Sequence, residues 1–169
     1  MPNWAEGNIR FRGKRENLIR FFSNELVSLI RNSDFTIREA PVKLQSAADG
    51  WSMKIIRNEG TEGNLYFRGS NRQFVDMEEF ECDFEFSKGQ NTVEDQIVIF
   101  TGYRAAWNVD YSYFQEKAMR YRIDIRTFVW EQGMEWSSVN TWYRNGTKDE
   151  ETRSYSDWLW DASMPYYGG

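Results

Sequence analysis

The sequence predicts an α+β domain, and three stretches predict it. Ile97 to Phe100 is an apolar, β-branched run suited to a central strand. From Asn108 or Asp110, either of which can cap a helix, Val109, Phe114, Ala118 and Tyr121 recur at helical spacing, which predicts a helix over Asp110 to Arg120. Arg122 to Trp130 then alternates, with Ile123, Ile125, Thr127 and Val129 on one face and Arg122, Asp124, Arg126 and Phe128 on the other. Gly133, within Glu-Gln-Gly-Met, is free to take positive φ and turn the chain into a further strand that runs to about Tyr143.

The remaining elements follow from the same periodicities. Ile9 and Phe11 alternate with Arg10 and Arg12 and the run ends at Gly13, a first strand. Arg15 to Arg31 reads as one long helix: Leu18, Ile19, Phe22, Leu26, Leu29 and Ile30 share a face, leaving Arg20, Glu25 and Arg31 to solvent. Phe35 to Ala40 and Met53 to Arg57 are strand candidates, with Pro41 to Gly50 a loop between them. Leu65 to Phe67 and Gln73 to Val75 flank an Arg-Gly-Ser-Asn-Arg turn. Asn145-Gly146 marks another turn, and the mixed charges that follow it read as an exposed loop.

With 169 residues and no internal repeat, one core is expected. A net charge of -5 argues against free duplex DNA as the partner and favours a basic protein. One cysteine excludes an internal disulfide, and the lack of histidine removes the usual zinc ligand and general base. No apolar run approaches the roughly 20 residues of a membrane helix and no leader pattern is present, so a cytoplasmic protein without membrane contact is expected. No catalytic residue, metal ligand or cofactor is assigned.

Two stretches are candidate binding sites. In the acidic one Glu79, Glu81, Asp83 and Glu85 alternate with Phe80, Cys82, Phe84 and Phe86. As a strand this displays carboxylates about 6.6 to 6.8 Å apart, either a solubilising edge or a contact surface for a positively charged partner. Carboxylates diverging along one strand do not close around a metal pair, which disfavours a metal-dependent hydrolase. The second stretch sets Arg68 and Arg72 beside Tyr66 and Phe74, with Arg10 and Arg12 as further candidates. Arginines interleaved with rings suit a phosphate or a stacked base, and an ordinary exposed hairpin is the plainer reading.

MPNWAEGNIRFRG and FTGYRAAWNVDYSYFQEKAMRYRIDIRTFVWEQGMEW resemble a family of phage, prophage and plasmid accessory proteins that begin Met-Pro-Asn-Trp. The matching residues are Pro2, Asn3, Trp4 and Gly13, then Ala106-Trp107 and Glu131-x-Gly133-Met134; YFRGSNRQF and DWLWDASMPYYGG resemble segments of its Gram-positive phage branch. The resemblance implies a ferredoxin-like split β-α-β sandwich, an antiparallel-rich sheet with two helices on one face, here with an added C-terminal hairpin. The expected organisation is a single domain over 1–169, with an inserted acidic-strand region at about 35–95. The implied role is a non-catalytic accessory protein, monomer or homodimer, in the cytoplasm of an infected or lysogenic bacterium. Taken with the acidic strand, that setting leads to the expectation that it binds and inhibits or redirects a host protein with a basic surface, such as a nucleic-acid-handling or defence (anti-CRISPR-like) target, through an acidic and aromatic surface. Nucleic-acid or nucleotide binding through the Arg/aromatic hairpin is the alternative. Neither NIRFRGKR nor YFRGSNRQFV reproduces the RNA-recognition pattern of aromatic and basic residues.

Overall fold

Trp4–Lys14 alternates buried and outward residues over 11 positions and forms the strand, β1, beside which the rest is assembled. The computed structural model describes residues 3–31, 37–49, 52–57, 64–77, 81–85, 87–88 and 95–161. After β1 come α1 (Arg15–Glu25), β2 (Leu26–Arg31), β3 (Ile37–Pro41), β4 (Lys43–Ser46), β5 (Ser52–Ile56), β6 (Leu65–Phe67), β7 (Gln73–Val75), β8 (Glu81–Glu85) and β9 (Ser87–Lys88). The second half supplies β10 (Asp95–Ala106), α2 (Tyr111–Tyr121), β11 (Asp124–Glu131), β12 (Trp136–Trp142), β13 (Lys148–Ser154) and one helical turn, α3 (Trp158–Asp161).

Among the described residues these strands make two sheets. The larger has 10 strands in the order β13-β12-β11-β1-β10-β7-β6-β2-β3, with β9 also on β10, and the smaller has 3 in the order β4-β5-β8. Every recorded pairing is antiparallel. The expected ferredoxin-like sandwich is therefore not what the chain forms: the molecule is mostly strand. The physical reason is that segments expected as helix or loop pair into the sheet instead. β2, expected as helix, and β13, expected as loop, join it, and strands that were expected widen it further: the β6-β7 hairpin is inserted between β10 and β2, and β12 and β3 lie towards its two ends.

The core lies between one face of this sheet and α1 and α2. Ile9 and Phe11 point into it, and the Phe11 ring has Phe21 at 5.0 Å, Phe22 at 5.1 Å, Phe100 at 6.0 Å and Phe67 at 6.1 Å between centroids. Met53 and Ile55 carry the smaller sheet into the same cluster, joined by Val42 from the link between β3 and β4. Asp110 is the cap of α2 and accepts from the Tyr113 amide at 3.1 Å, which resolves the two capping candidates.

Local departures have local causes. The long helix stops at Glu25 because Leu26 is extended, at φ -86° and ψ 129°. Leu26 to Ile30 satisfies a period of two as well as 3.6, and tertiary pairing with β3 and β6 selects the strand. The expected loop at Pro41 to Gly50 contains β4, and the charged stretch after Gly146 is β13, paired along its whole length with β12. Gly133 does not take positive φ; Glu135 does, at 54°. What Gly133 offers is its amide, which donates to Glu131 Oε1 at 2.9 Å, where a Cβ would stand 2.9 Å from the same oxygen.

Gly7 is the position that tolerates nothing larger. A Cβ there would lie 1.9 Å from the Phe128 carbonyl oxygen on β11. We predict that Gly7→Ala costs about 1–3 kcal/mol or more by overpacking, and that Phe22→Ala, which empties a fully buried site, costs about 3–5 kcal/mol. Urea unfolding of each variant measures both losses.

Candidate functional site

The face of the large sheet opposite the helices is where the outward residues of β1 meet those of its neighbours. Register places Arg10 opposite Arg126, Arg12 opposite Asp124, Asn8 opposite Phe128 and Glu6 opposite Trp130 on β11. On the other side Arg10 faces Ile99 and Arg12 faces Ile97 of β10. Arg10, Arg12, Asp124 and Arg126 line a shallow depression of about 260 Å³, floored by Ile97 and by Ile99, which is 48% exposed, and bordered by Thr141 and Tyr143.

The arginines differ in how their charge is met. Arg12 is paired with Asp124, at 2.7 Å. The Arg10 side chain donates only to the neutral Asn8 side chain, at 3.1 Å, and the Arg126 side chain makes no hydrogen bond or ion pair among the described residues. Below them Arg144, in the turn between β12 and β13, donates to Asp124 at 3.0 Å, to Asp95 at 2.7 Å and to the Arg12 carbonyl at 3.4 Å. Burial alone would raise the Asp124 pKa. The hydrogen bonds from the Arg144 side chain and backbone and from Arg12 outweigh it and hold the carboxyl below the usual range.

Towards the other end of the face the charges give way to rings. Phe128 and Trp130 lie 6.0 Å apart along β11. Trp4 packs on Phe74 at 5.7 Å, Phe74 on Tyr66 at 5.3 Å, and the Arg72 guanidinium sits 5.7 Å from the Trp4 ring centre. Arg104 between them is neutralised by Asp76 at 3.2 Å and Glu6 at 3.6 Å. Exposed Asp149 and Glu151 of β13 form an acidic rim beyond Thr141 and Val139.

The predicted hairpin set is thus divided. Tyr66, Phe74 and Arg72 gather around Trp4, whereas Arg68 turns away to Glu39, at 3.3 Å, with its amide on the Glu25 carbonyl at 2.7 Å. Arg126, Phe128 and Trp130 belong to the face as well; the alternation of the sequence identifies Arg126 and Phe128 only as the outer side of a strand, and Trp130 only as its end. Of the acidic set, Glu79 lies outside the described residues, as do the side chains of Glu81, Asp83 and Glu85. Their backbone forms β8 at one end of the small sheet, with Glu81, Asp83 and Glu85 opposite Ile56, Lys54 and Ser52 of β5.

Glu25, expected in solvent, is buried between the helices. Tyr121 donates to its Oε1 at 2.5 Å, Tyr113 to Oε2 at 3.3 Å, and Lys117 lies 3.3 Å from Oε2. Burial first, and then the adjacent Glu25 charge, push the Tyr113 hydroxyl well above its ordinary pKa. Both carboxylate oxygens accept from α2, so this cluster ties α1 to α2. Among the described residues no three His, Cys, Asp or Glu side chains are grouped to hold a metal ion, and no helix is long and apolar enough to cross a membrane.

No protein-family model, curated protein or solved structure matches this chain.

The Asp124 node makes a pH-dependent prediction. A carboxyl with a lowered folded pKa contributes stability above its unfolded value of about 3.9 and loses it as pH falls through the folded value. Asp124→Asn is expected to be less stable than wild type at neutral pH by about 1.5–3 kcal/mol. That difference should close in strong acid, as read by urea unfolding across the pH range.

Proposed function

We propose that the protein is a non-catalytic module that binds a single-stranded nucleic acid across the face of its large sheet opposite the helices. The observation that carries this reading is the cross-strand pair of Arg10 and Arg126. Like charges directly opposite one another destabilise a sheet, and no described carboxylate offsets either of these two. A phosphate backbone laid along the lane supplies the missing negative charge. Phe128 and Trp130, one and two outward positions further along β11, offer rings for bases, and exposed Ile99 offers an apolar floor. The acidic rim on β13 and the net charge of -5 favour a narrow strand over a duplex.

Fluorescence anisotropy with short labelled DNA and RNA strands tests the reading. Three arginine contacts at about 0.7 counterions each predict a log affinity that falls with log salt at a slope near −2. Arg10→Gln with Arg126→Gln should remove about two thirds of that slope without lowering the melting temperature, because a repulsion is relieved. Trp130→Ala should weaken binding by about 1–3 kcal/mol if it stacks on a base. Undiminished affinity in the double arginine variant would reject the proposal.

A second reading has one observation in its favour: the acidic strand β8 ends its sheet among the described strands, where an edge can meet a partner. On that reading Glu81, Asp83 and Glu85 steer a basic host protein in the cytoplasm, the accessory role implied by the sequence resemblance. Glu81→Lys with Asp83→Lys should then slow association with a captured partner at low salt and leave the melting temperature nearly unchanged. Unaltered association kinetics would leave β8 as a solubilising edge.

A further inference from the structure

We infer that a basic cup at the end of the arginine lane receives the terminal phosphate monoester of the bound strand, an inference that rests on the sheet-face reading above. The outward positions of β1 continue from Arg10 and Arg12 to Lys14, which opens onto this cup. The cup measures about 630 Å³ and draws its walls from five separate stretches: Lys14 ends β1, Arg20 comes from α1, Arg120 from α2, Arg122 from the join into β11 and Arg144 from the turn after β12. Glu16 is the one carboxylate among its lining residues; Arg144 is held by Asp95 and Asp124 and Arg120 lies 3.7 Å from Glu116, which leaves Arg20 and Arg122 as the guanidinium groups of the cup without an ion pair among the described residues. Lane and cup are continuous, since Arg144 of the cup holds Asp124 of the lane at 3.0 Å.

Geometry separates the ligands suited to each. Along the lane the cations are spaced down a strand, which suits diester phosphates that follow one another with one charge each. In the cup they converge from several directions on one volume. A terminal monoester carries close to two negative charges at neutral pH and presents three acceptor oxygens, so it can be met from several sides at once by guanidinium forks. The Arg20 and Arg120 guanidinium carbons lie 5.6 Å and 5.5 Å from the centre of the Tyr121 ring, a contact that restrains both side chains. Arg122 makes no side-chain hydrogen bond or ion pair among the described residues. It also occupies the left-handed cap position of α2, at φ 54°, where glycine is the usual residue.

The test compares oligonucleotides of one sequence ending in a 5′-phosphate, a 3′-phosphate or hydroxyls alone. One phosphorylated form is expected to bind about tenfold tighter than the hydroxyl-ended strand, the scale of a few charge-assisted hydrogen bonds. Arg122→Gly suits the left-handed backbone and so folds at least as well, which the melting temperature verifies; in it the ratio between the two ends should fall towards unity. Arg20→Gln should reduce the same ratio. Equal binding of all three ends by wild type overturns the inference and leaves the sheet-face reading standing. Failure of every strand to bind overturns both, and an end preference that survives both substitutions places the terminus elsewhere and overturns the cup.

Discussion

Gly7 sets the geometry on which the arginine face depends. With the Phe128 carbonyl 1.9 Å from where its Cβ would be, β1 and β11 approach more closely there than any other residue permits. An antiparallel pair can slip in register only by moving every side chain relative to its neighbours, and this close approach has only one position to occupy. The bulge between Gly7 and Ile9 against β10 adjusts the other side of the same strand. Arg10 then falls opposite Arg126, three residues from the lock, and Phe11 falls into the aromatic core on the opposite face. The packing of the inner face and the repulsion on the outer face are consequences of one register.

Charge in this acidic chain is segregated. Eight of its 21 Lys and Arg residues line the lane and the cup, whose lining includes only Asp124 and Glu16 as carboxylates. Asp95 and Asp124 are buried beneath that patch, where they hold Arg144 and Arg12 in place, while Arg10, Arg20, Arg122 and Arg126 have no ion pair among the described residues. The folded state bears that repulsion because the aromatic core and the Glu25 tie between the helices stabilise the same arrangement from the other side.

What was legible in the sequence was local. Asp110 announces α2 because capping chemistry acts within three residues, and the alternation of β1 and β11 identifies two-faced strands without reference to partners. Glu25 misleads because its position on the expected helical face says nothing of α2, whose Tyr113, Lys117 and Tyr121 are 88 to 96 residues away. Leu26 to Ile30 misleads because its pattern satisfies two periods. The charged run at 148–154 looks like a loop because nothing on it is buried; its pairing with β12 is entirely a backbone matter. Arg10, Arg12 and Arg126 were each visible on the outer sides of their strands, but their meeting depends on which strands become neighbours, and no local pattern encodes that.

β13 has a further consequence for how molecules of this protein meet. It closes the large sheet with Lys148, Asp149, Glu150, Glu151 and Arg153 all exposed, and at the opposite end β3 finishes in Pro41, which has no amide hydrogen to offer. A broad sheet with bare edges would be a template for stacking chain upon chain into fibres. Here the strand at one margin is too charged to accept a neighbour, and the one at the other is short and ends without a donor. Among the described strands both margins therefore disfavour growth of the sheet in its own plane, which leaves its broad surface for another molecule to approach without polymerising it.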